Sequence, residues 1–264
     1  MQRAMIVLEG VTKRFGTFTA VSGLSLEVPP GEVFGFLGPN GAGKTTTLRM
    51  MTGLLLPTRG RIVLGGYDIR QEPVAAKGLL GFIPDRPYLY DKLTGVELLR
   101  FVAGLYGLAR REAASRIPEL LGQFELSDWG ETLVESYSHG MKQRLVFAAA
   151  LLPRPKVLIV DEPMVGLDPR GMRLVKRIFV DLCRDEGLTV FLSTHSLDVA
   201  EEVCHRIAIL DKGEMVAMGD MEALRQRAGS SGGRLEEVFF ELTRQGEGAA
   251  APEVVAEGGD GREV

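Results

Sequence analysis

Apolar and polar positions alternate in short runs at both ends of this 264-residue chain and change to helical spacing in its middle. Ile6-Val7-Leu8 and Thr17 to Val28 read as short strands broken by turns, an antiparallel edge ahead of a main sheet. Glu32 to Leu37 is a strand running into a glycine-rich loop, and Thr45 to Leu54 follows as a helix stopped by Gly53 and Pro57. Arg61 to Leu64 is a further strand closed by Gly65-Gly66. From Asp91 to Leu152 the period is helical. Thr94 and Glu97 make a capping box for the first helix, and Leu98, Phe101, Val102 and Leu105 keep its apolar face. A second helix is predicted over Arg111 to Phe124, where Pro118 kinks it or shifts its start, and a third runs from Ser138 to Pro153.

The alternation then resumes. Strand Val157 to Val160, helix Pro169 to Arg184, strand Thr189 to Leu192 and helix Leu197 to Cys204 precede a hairpin, in which Ile207 to Leu210 and Met215 to Met218 flank Asp211-Lys212-Gly213-Glu214. This order predicts an α/β core with a parallel central sheet, an N-terminal antiparallel β edge and an inserted helical subdomain. The expected division is a core of residues 1–90 and 153–226, a helical subdomain 91–152, an amphipathic extension 227–244 around Leu235 to Thr243, and a disordered acidic tail 245–264.

Composition narrows the possible functions. Hydrophobic residues at 45% suffice for a sizeable core, and the longest apolar runs, such as Leu145 to Leu152, fall far short of the roughly 18 residues a membrane span needs. No basic-then-apolar leader opens the sequence, so a cytosolic location is expected. The net charge of −4 is carried by the segment from Gln245 onward, leaving 30 bases against 30 acids elsewhere and no electrostatic case for nucleic-acid binding. Cys183 and Cys204 match no metal spacing and read as free buried thiols.

The chemistry begins at Gly38-Pro39-Asn40-Gly41-Ala42-Gly43-Lys44-Thr45, which satisfies G-x-x-x-x-G-K-[ST]. Glycines let backbone N–H groups turn toward phosphate oxygens, and the following helix, with Thr46 in its first turn, presents its positive end to them. Lys44 reaches the β- and γ-phosphates, and Thr45 offers a hydroxyl to Mg²⁺. A chance glycine-rich turn would lack the strand before and the helix after. The core is therefore read as a P-loop NTPase (RecA-like) one. Val157-Leu158-Ile159-Val160-Asp161-Glu162 puts a carboxylate at the C-terminal end of a buried parallel strand, where such sheets bind ligands. Asp161 is the expected Mg²⁺ residue, and Glu162 the base that polarises an attacking water. Alone, such a strand end is a weak signal; the phosphate loop upstream makes it strong.

Tyr137-Ser138-His139-Gly140-Met141-Lys142-Gln143-Arg144 resembles the signature of the ABC ATPases, usually Leu-Ser-Gly-Gly-Gln, at the place where that family carries it. In isolation the segment reads as a helix cap. Gly166-Leu167-Asp168 looks like the family's D-loop, which crosses a dimer interface, and Ser193-Thr194-His195 like its switch histidine, which contacts the γ-phosphate. Phe15 stands where the family has the aromatic that stacks on adenine. The resemblance implies a head-to-tail dimer burying two ATP, each between Lys44 of one chain and Ser138 and Gly140 of the other. It also implies a multi-span membrane permease that holds the ATPase at the cytoplasmic face. The neighbourhood of Tyr88, Tyr90, Phe101 and Tyr106 is where the family receives that permease, although the same residues equally fit the core of the helical subdomain. Asp91 to Glu97 and Leu235 to Leu242 look like the ATPases of export-type bacterial systems. Three positions depart from the pattern. Asp85 takes the place of the Q-loop glutamine and is expected to serve Mg²⁺ or its waters; His139 and Met141 replace a glycine and the glutamine of the signature. Two rivals are a soluble ABC-type ATPase of translation or DNA repair and a P-loop switch or kinase of another family. The first usually carries two modules or a long coiled coil; the second leaves Ser138, Gly140 and His195 without a role.

Overall fold

A computed structural model describes residues 4–86, 88–164, 167–229 and 234–248 of the chain, with side chains to residue 243. Strands β1 (Ile6–Phe15) and β2 (Phe18–Val28) pair antiparallel, and β4 (Arg59–Leu64) and β5 (Tyr67–Asp68) complete a separate four-stranded sheet in the order β2-β1-β4-β5. Strand β1 outruns the predicted Ile6-Val7-Leu8 because register shifts after Leu8 and Val11 interrupt the period-two pattern without ending the pairing, while β2 runs unbroken through the predicted stretch as far as Val28.

The central sheet has six strands in the order β10-β9-β3-β8-β7-β6. Its members are β3 (Val33–Leu37), β6 (Leu80–Ile83), β7 (Val157–Asp161), β8 (Thr189–Thr194), β9 (Arg206–Asp211) and β10 (Glu214–Gly219). Strands β9, β3, β8, β7 and β6 run parallel, and β10 closes the edge antiparallel. Every residue of β3, β7 and β8 is buried, the signature of strands covered on both faces. One face packs on helix α1 (Lys44–Met51) and the antiparallel sheet, with Phe191 stacked on Phe34 at 5.4 Å and tilted against Phe36 at 5.1 Å. The other packs on α6 (Pro169–Glu186), whose Val175, Ile178, Phe179 and Leu182 form one buried stripe ended by Gly187 in the left-handed region.

Helix α2 (Pro73–Gly78) leads into β6. Helices α3 (Gly95–Leu105), α4 (Arg110–Gln123) and α5 (His139–Leu151) form the insertion between β6 and β7. The capping box is present: the Thr94 hydroxyl accepts from the Glu97 N–H at 3.2 Å, and the Thr94 N–H donates to the Glu97 carboxylate at 2.8 Å. Helix α4 continues through Pro118, which lies exposed on its outer side. Helices α7 (Leu197–Val203), α8 (Met221–Ala228) and α9 (Leu235–Gly248) cover the β9–β10 end, where Leu235, Val238 and Leu242 bury the inner face of α9. Helix α9 thus runs five residues past the Thr243 that apolar spacing predicts, and the acidic segment after residue 248 lies outside the described residues. Among the described residues no helix is long and apolar enough to cross a membrane. Cys183 and Cys204 are free thiols that burial pushes up to about 12, so neither is a nucleophile at neutral pH.

Candidate active site

Parallel strands put all their C-terminal ends on one side of a sheet, and that side carries the chemistry here. Strand β3 runs into the phosphate loop, β7 ends at Asp161, β8 at Thr194 ahead of His195, and β6 shortly before Asp85. Among them lies a cleft of about 350 Å³ lined by Phe18, Ala20, Asn40, Gly41, Gly43, Lys44, Thr45, Thr46, Asp85, Asp161 and Glu162. Nine of these eleven are residues the sequence motifs single out; Phe18 and Ala20 come from β2.

The loop can close only with glycines at two points. A Cβ on Gly43 would lie 2.5 Å from the Ala20 carbonyl oxygen, and Gly43 has φ 100°; one on Gly38 would lie 2.5 Å from the Leu210 carbonyl oxygen. Helix α1 starts at Gly43 with no side-chain cap and no acid in its first turn, so its leading N–H groups face the cleft with their partial positive charge unopposed. Lys44 is buried, and its Nζ donates to the carbonyls of Gly38 at 2.6 Å and Pro39 at 3.1 Å. Burial pulls the Lys44 ammonium below the usual lysine range, while the Glu162 and Asp161 charges act against that shift.

The Thr45 hydroxyl donates to Asp161 Oδ2 at 3.1 Å, and Asp161 Oδ1 is buried without a hydrogen-bond partner. Burial pushes the Asp161 carboxyl above the usual carboxylate range; the Ser193 and Thr45 hydroxyls work against the shift, and the Glu162 and Asp85 charges add to it. The folded chain therefore holds this proton more tightly than the unfolded one. The resulting stability is complete below the unfolded aspartate range near ~4 and is lost as pH rises through the folded value, so at neutral pH the buried charge is a cost. Asp161→Asn should raise the melting temperature of the nucleotide-free chain at pH 7. Calorimetric melts across pH 4–8 check this; an unchanged or lower melting temperature at pH 7 would show that the charge is already compensated.

Glu162 follows β7 with φ 49°, a left-handed conformation that a non-glycine residue adopts at a cost of ~1–2 kcal/mol. Its carboxylate accepts two hydrogen bonds and has an imidazole nitrogen beside it. The Thr194 hydroxyl lies at 3.1 Å and the His195 backbone N–H at 3.4 Å from Oε2, and His195 Nδ1 lies 2.8 Å from Oε1. A carboxylate oriented this way, with the imidazole largely exposed beside it, suits a base that holds a water over the cleft. Asp85 is half exposed on the cleft wall with the Arg86 guanidinium 3.9 Å away.

Four predicted residues stand elsewhere. Ser138 is exposed and caps α5, its hydroxyl accepting from the Met141 N–H at 3.2 Å; α5 too has no acid in its first turn, and Gly140 is half-buried there. Asp168 caps α6, accepting from the Gly171 N–H at 2.7 Å, while Gly166 lies outside the described residues. None of Ser138, Gly140 and Asp168 lines the cleft of its own chain. Phe15, at the end of β1, does not line it either; the Lys13 ammonium sits 5.1 Å from the Phe15 ring centroid. Sequence reasoning missed Thr194 as a partner of Glu162 and Phe18 as part of the wall. Both lie within or beside motifs already recognised, and only strand pairing reveals them.

A family model described as ABC transporter matches residues 21–165. The chain is 40% identical over 225 residues to the linearmycin resistance ATP-binding protein LnrL of Bacillus subtilis (strain 168), a match covering 85% of this chain and 72% of that protein. It resembles the solved structure of an ATP-binding subunit of an ABC transporter with a TM-score of 0.85 and 33% identity, over 90% of this chain and 99% of that one. A dimeric, post-hydrolysis structure of the ATP-binding cassette MJ0796 bound to ADP and Pi gives a TM-score of 0.72 at 26% identity, over 82% of this chain and 99% of that one.

Proposed function

The chain belongs to the ABC transporter family as an ATP-binding and ATP-hydrolysing subunit, and from that premise we propose how it works: ATP closes a dimer of two such chains and so drives export through a separate membrane permease. The observation that carries this reading is the division of the site. Lys44, Thr45, Asp161 and Glu162 converge on one cleft, whereas Ser138 and Gly140 start a second uncapped-by-acid helix end that this cleft does not use. A γ-phosphate lying between two helix N-termini from different chains would bind the closed dimer in preference to the open pair, and hydrolysis would remove that preference.

The residues present fit Mg²⁺. Asp161 Oδ1 is an orphaned buried oxygen, Thr45 supplies a hydroxyl beside it, and among the described residues no three His, Cys, Asp or Glu cluster to make an all-protein cage. Such a pair suits an ion that takes its remaining ligands from phosphates and water. Bound there, Mg²⁺ would neutralise charge on the phosphates. Thr45 and Asp161 would hold it, and Asp85 would serve its waters. Lys44 and the first N–H groups of α1 orient the phosphates, Asn40 and Thr46 line their approach, and Glu162 with His195 positions the water.

Attachment to the permease is assigned to the surface of the helical insertion, at the cytoplasmic face of the membrane. A groove of about 320 Å³ lies between β6, α3 and α5, lined by Phe82, Leu89, Tyr90, Phe101 and Leu105 among others. Tyr88 is 97% and Leu105 70% exposed there, while Leu98 turns into the core and Tyr90 packs edge-on against Phe101. The aromatic cluster therefore splits between core and open surface. Large apolar side chains held in water at a groove mark a protein interface. The resistance function named for the relative LnrL points to export of a small toxic molecule. Tyr88→Glu combined with Leu105→Glu should abolish co-purification with a multi-span membrane protein while basal ATPase activity stays unchanged. Retained co-purification would move the docking surface elsewhere, and a native chain recovered without any membrane protein would contradict the transport reading.

A further inference from the structure

We propose that Thr194 is the positioning residue for Glu162: its hydroxyl anchors one carboxylate oxygen, Oε2, and so leaves the other, Oε1, to take the proton of the attacking water. This rests on the base assignment above and adds to it a residue that touches neither nucleotide nor water. Thr194 ends β8, is 1% exposed and is not part of the cleft wall. Burying a hydroxyl is unfavourable unless it is hydrogen-bonded, and a valine of the same shape would fill this strand position without that cost. What distinguishes threonine here is the pair of hydrogen bonds its oxygen makes.

A hydroxyl has a single hydrogen to give, and here its direction is set. The Ser196 N–H donates to Thr194 Oγ1 at 3.0 Å, and Oγ1 donates in turn to Glu162 Oε2 at 3.1 Å. The first bond closes a tight turn over Thr194, His195 and Ser196, a local structure that threonine hydroxyls favour. The turn brings the His195 N–H to 3.4 Å from the same Oε2 and His195 Nδ1 to 2.8 Å from Oε1. One hydroxyl therefore both holds the carboxylate and shapes the loop that places the imidazole beside it.

Glu162 needs such an anchor because its backbone leaves β7 at φ 49°, out of line with the strand. Its N–H donates to the Ser193 carbonyl at 2.9 Å, so backbone and carboxylate are both tied to the last two residues of β8. The two carboxylate oxygens end up unlike. Each carries two lone pairs, and those of Oε2 are taken by the Thr194 hydroxyl and the His195 N–H. Oε1 has only His195 Nδ1 beside it and keeps a lone pair open. A proton leaving water goes to Oε1, and the water oxygen attacks the γ-phosphorus as its bond to ADP breaks.

Steady-state phosphate release from MgATP, beside titration calorimetry with ATP, separates this role from a structural one. Thr194→Val should lower kcat by about 10–100-fold, the factor one hydrogen bond to a charged group brings, with KM and ATP affinity unchanged. Thr194→Ala removes the hydroxyl by a different change of shape and should show the same split. Thr194→Ser, which keeps the hydroxyl, should retain native kcat, and Thr194→Val added to Glu162→Gln should cost nothing further. Native kcat in Thr194→Val or Thr194→Ala would overturn the proposal. So would ATP affinity falling along with kcat, which would mean that the residue merely supports the cleft, or a Thr194→Ser chain as slow as Thr194→Val. A full further loss in the Glu162→Gln background would overturn it too, since the hydroxyl would then act through another group. Native turnover in Glu162→Gln itself would overturn the base assignment, and the proposal with it.

Discussion

Glu162→Gln should slow ATP hydrolysis by about 10²–10⁴-fold, the usual worth of a positioned base, while ATP affinity stays near that of the native chain. The amide has the shape of the carboxylate, and its oxygen can still accept from the Thr194 hydroxyl and the His195 N–H that hold Oε2. What it lacks is the negative charge that draws a proton from water. On the proposed roles binding does not need that charge, because Lys44 and the α1 N-terminus would take the phosphates and Glu162 the water. His195→Ala should resemble it in kind, since the imidazole touches the same carboxylate at 2.8 Å. Phosphate release at saturating MgATP is the measurement. Glu162→Gln with native turnover would overturn the assignment and shift the base to Asp85 or His195.

Lys44→Ala should fail differently, losing binding as well as turnover. Its ammonium is buried, and its hydrogen bonds among the described residues go to the Gly38 and Pro39 carbonyls, two neutral acceptors that a phosphate oxygen outcompetes. Burial lowers its hold on the proton, and an anion arriving beside it would favour the charged form. Removing one charge-assisted contact of ~1.5–3 kcal/mol lowers ATP affinity by about 10–100-fold. Calorimetry on Lys44→Ala beside Glu162→Gln separates the two roles. Equal ATP affinities in the two variants would show that the loop backbone alone carries the phosphates.

The sequence exposed these residues because each motif is local. The phosphate loop is one unbroken run from Gly38 to Thr45, and Asp161 ends a strand whose five residues are all buried, so position along the chain equals position in the site. Elements too short for a period stayed hidden: α2 has six residues, β5 two, and β6 four, of which only the Gly81-to-Asp85 segment stood out, as a motif site rather than a strand. Helix α8 escaped although Asp220 caps it at 2.8 Å, since eight residues give barely two turns of pattern. Within the site, the orphaned oxygen of Asp161, the left-handed backbone of Glu162 and the Thr194 contact depend on packing between β7 and β8, which no single segment encodes.

The central claim is that Ser138 and Gly140 complete the ATP site of a second copy. It is tested most directly by the mass of Glu162→Gln in solution, measured by light scattering during size exclusion with and without MgATP. The account predicts a monomer of 28.7 kDa without nucleotide. With MgATP it predicts a dimer, which Ser138→Arg prevents by placing a bulky side chain at the signature helix end without altering the cleft of its own chain. A variant that binds MgATP to saturation and remains monomeric would contradict it.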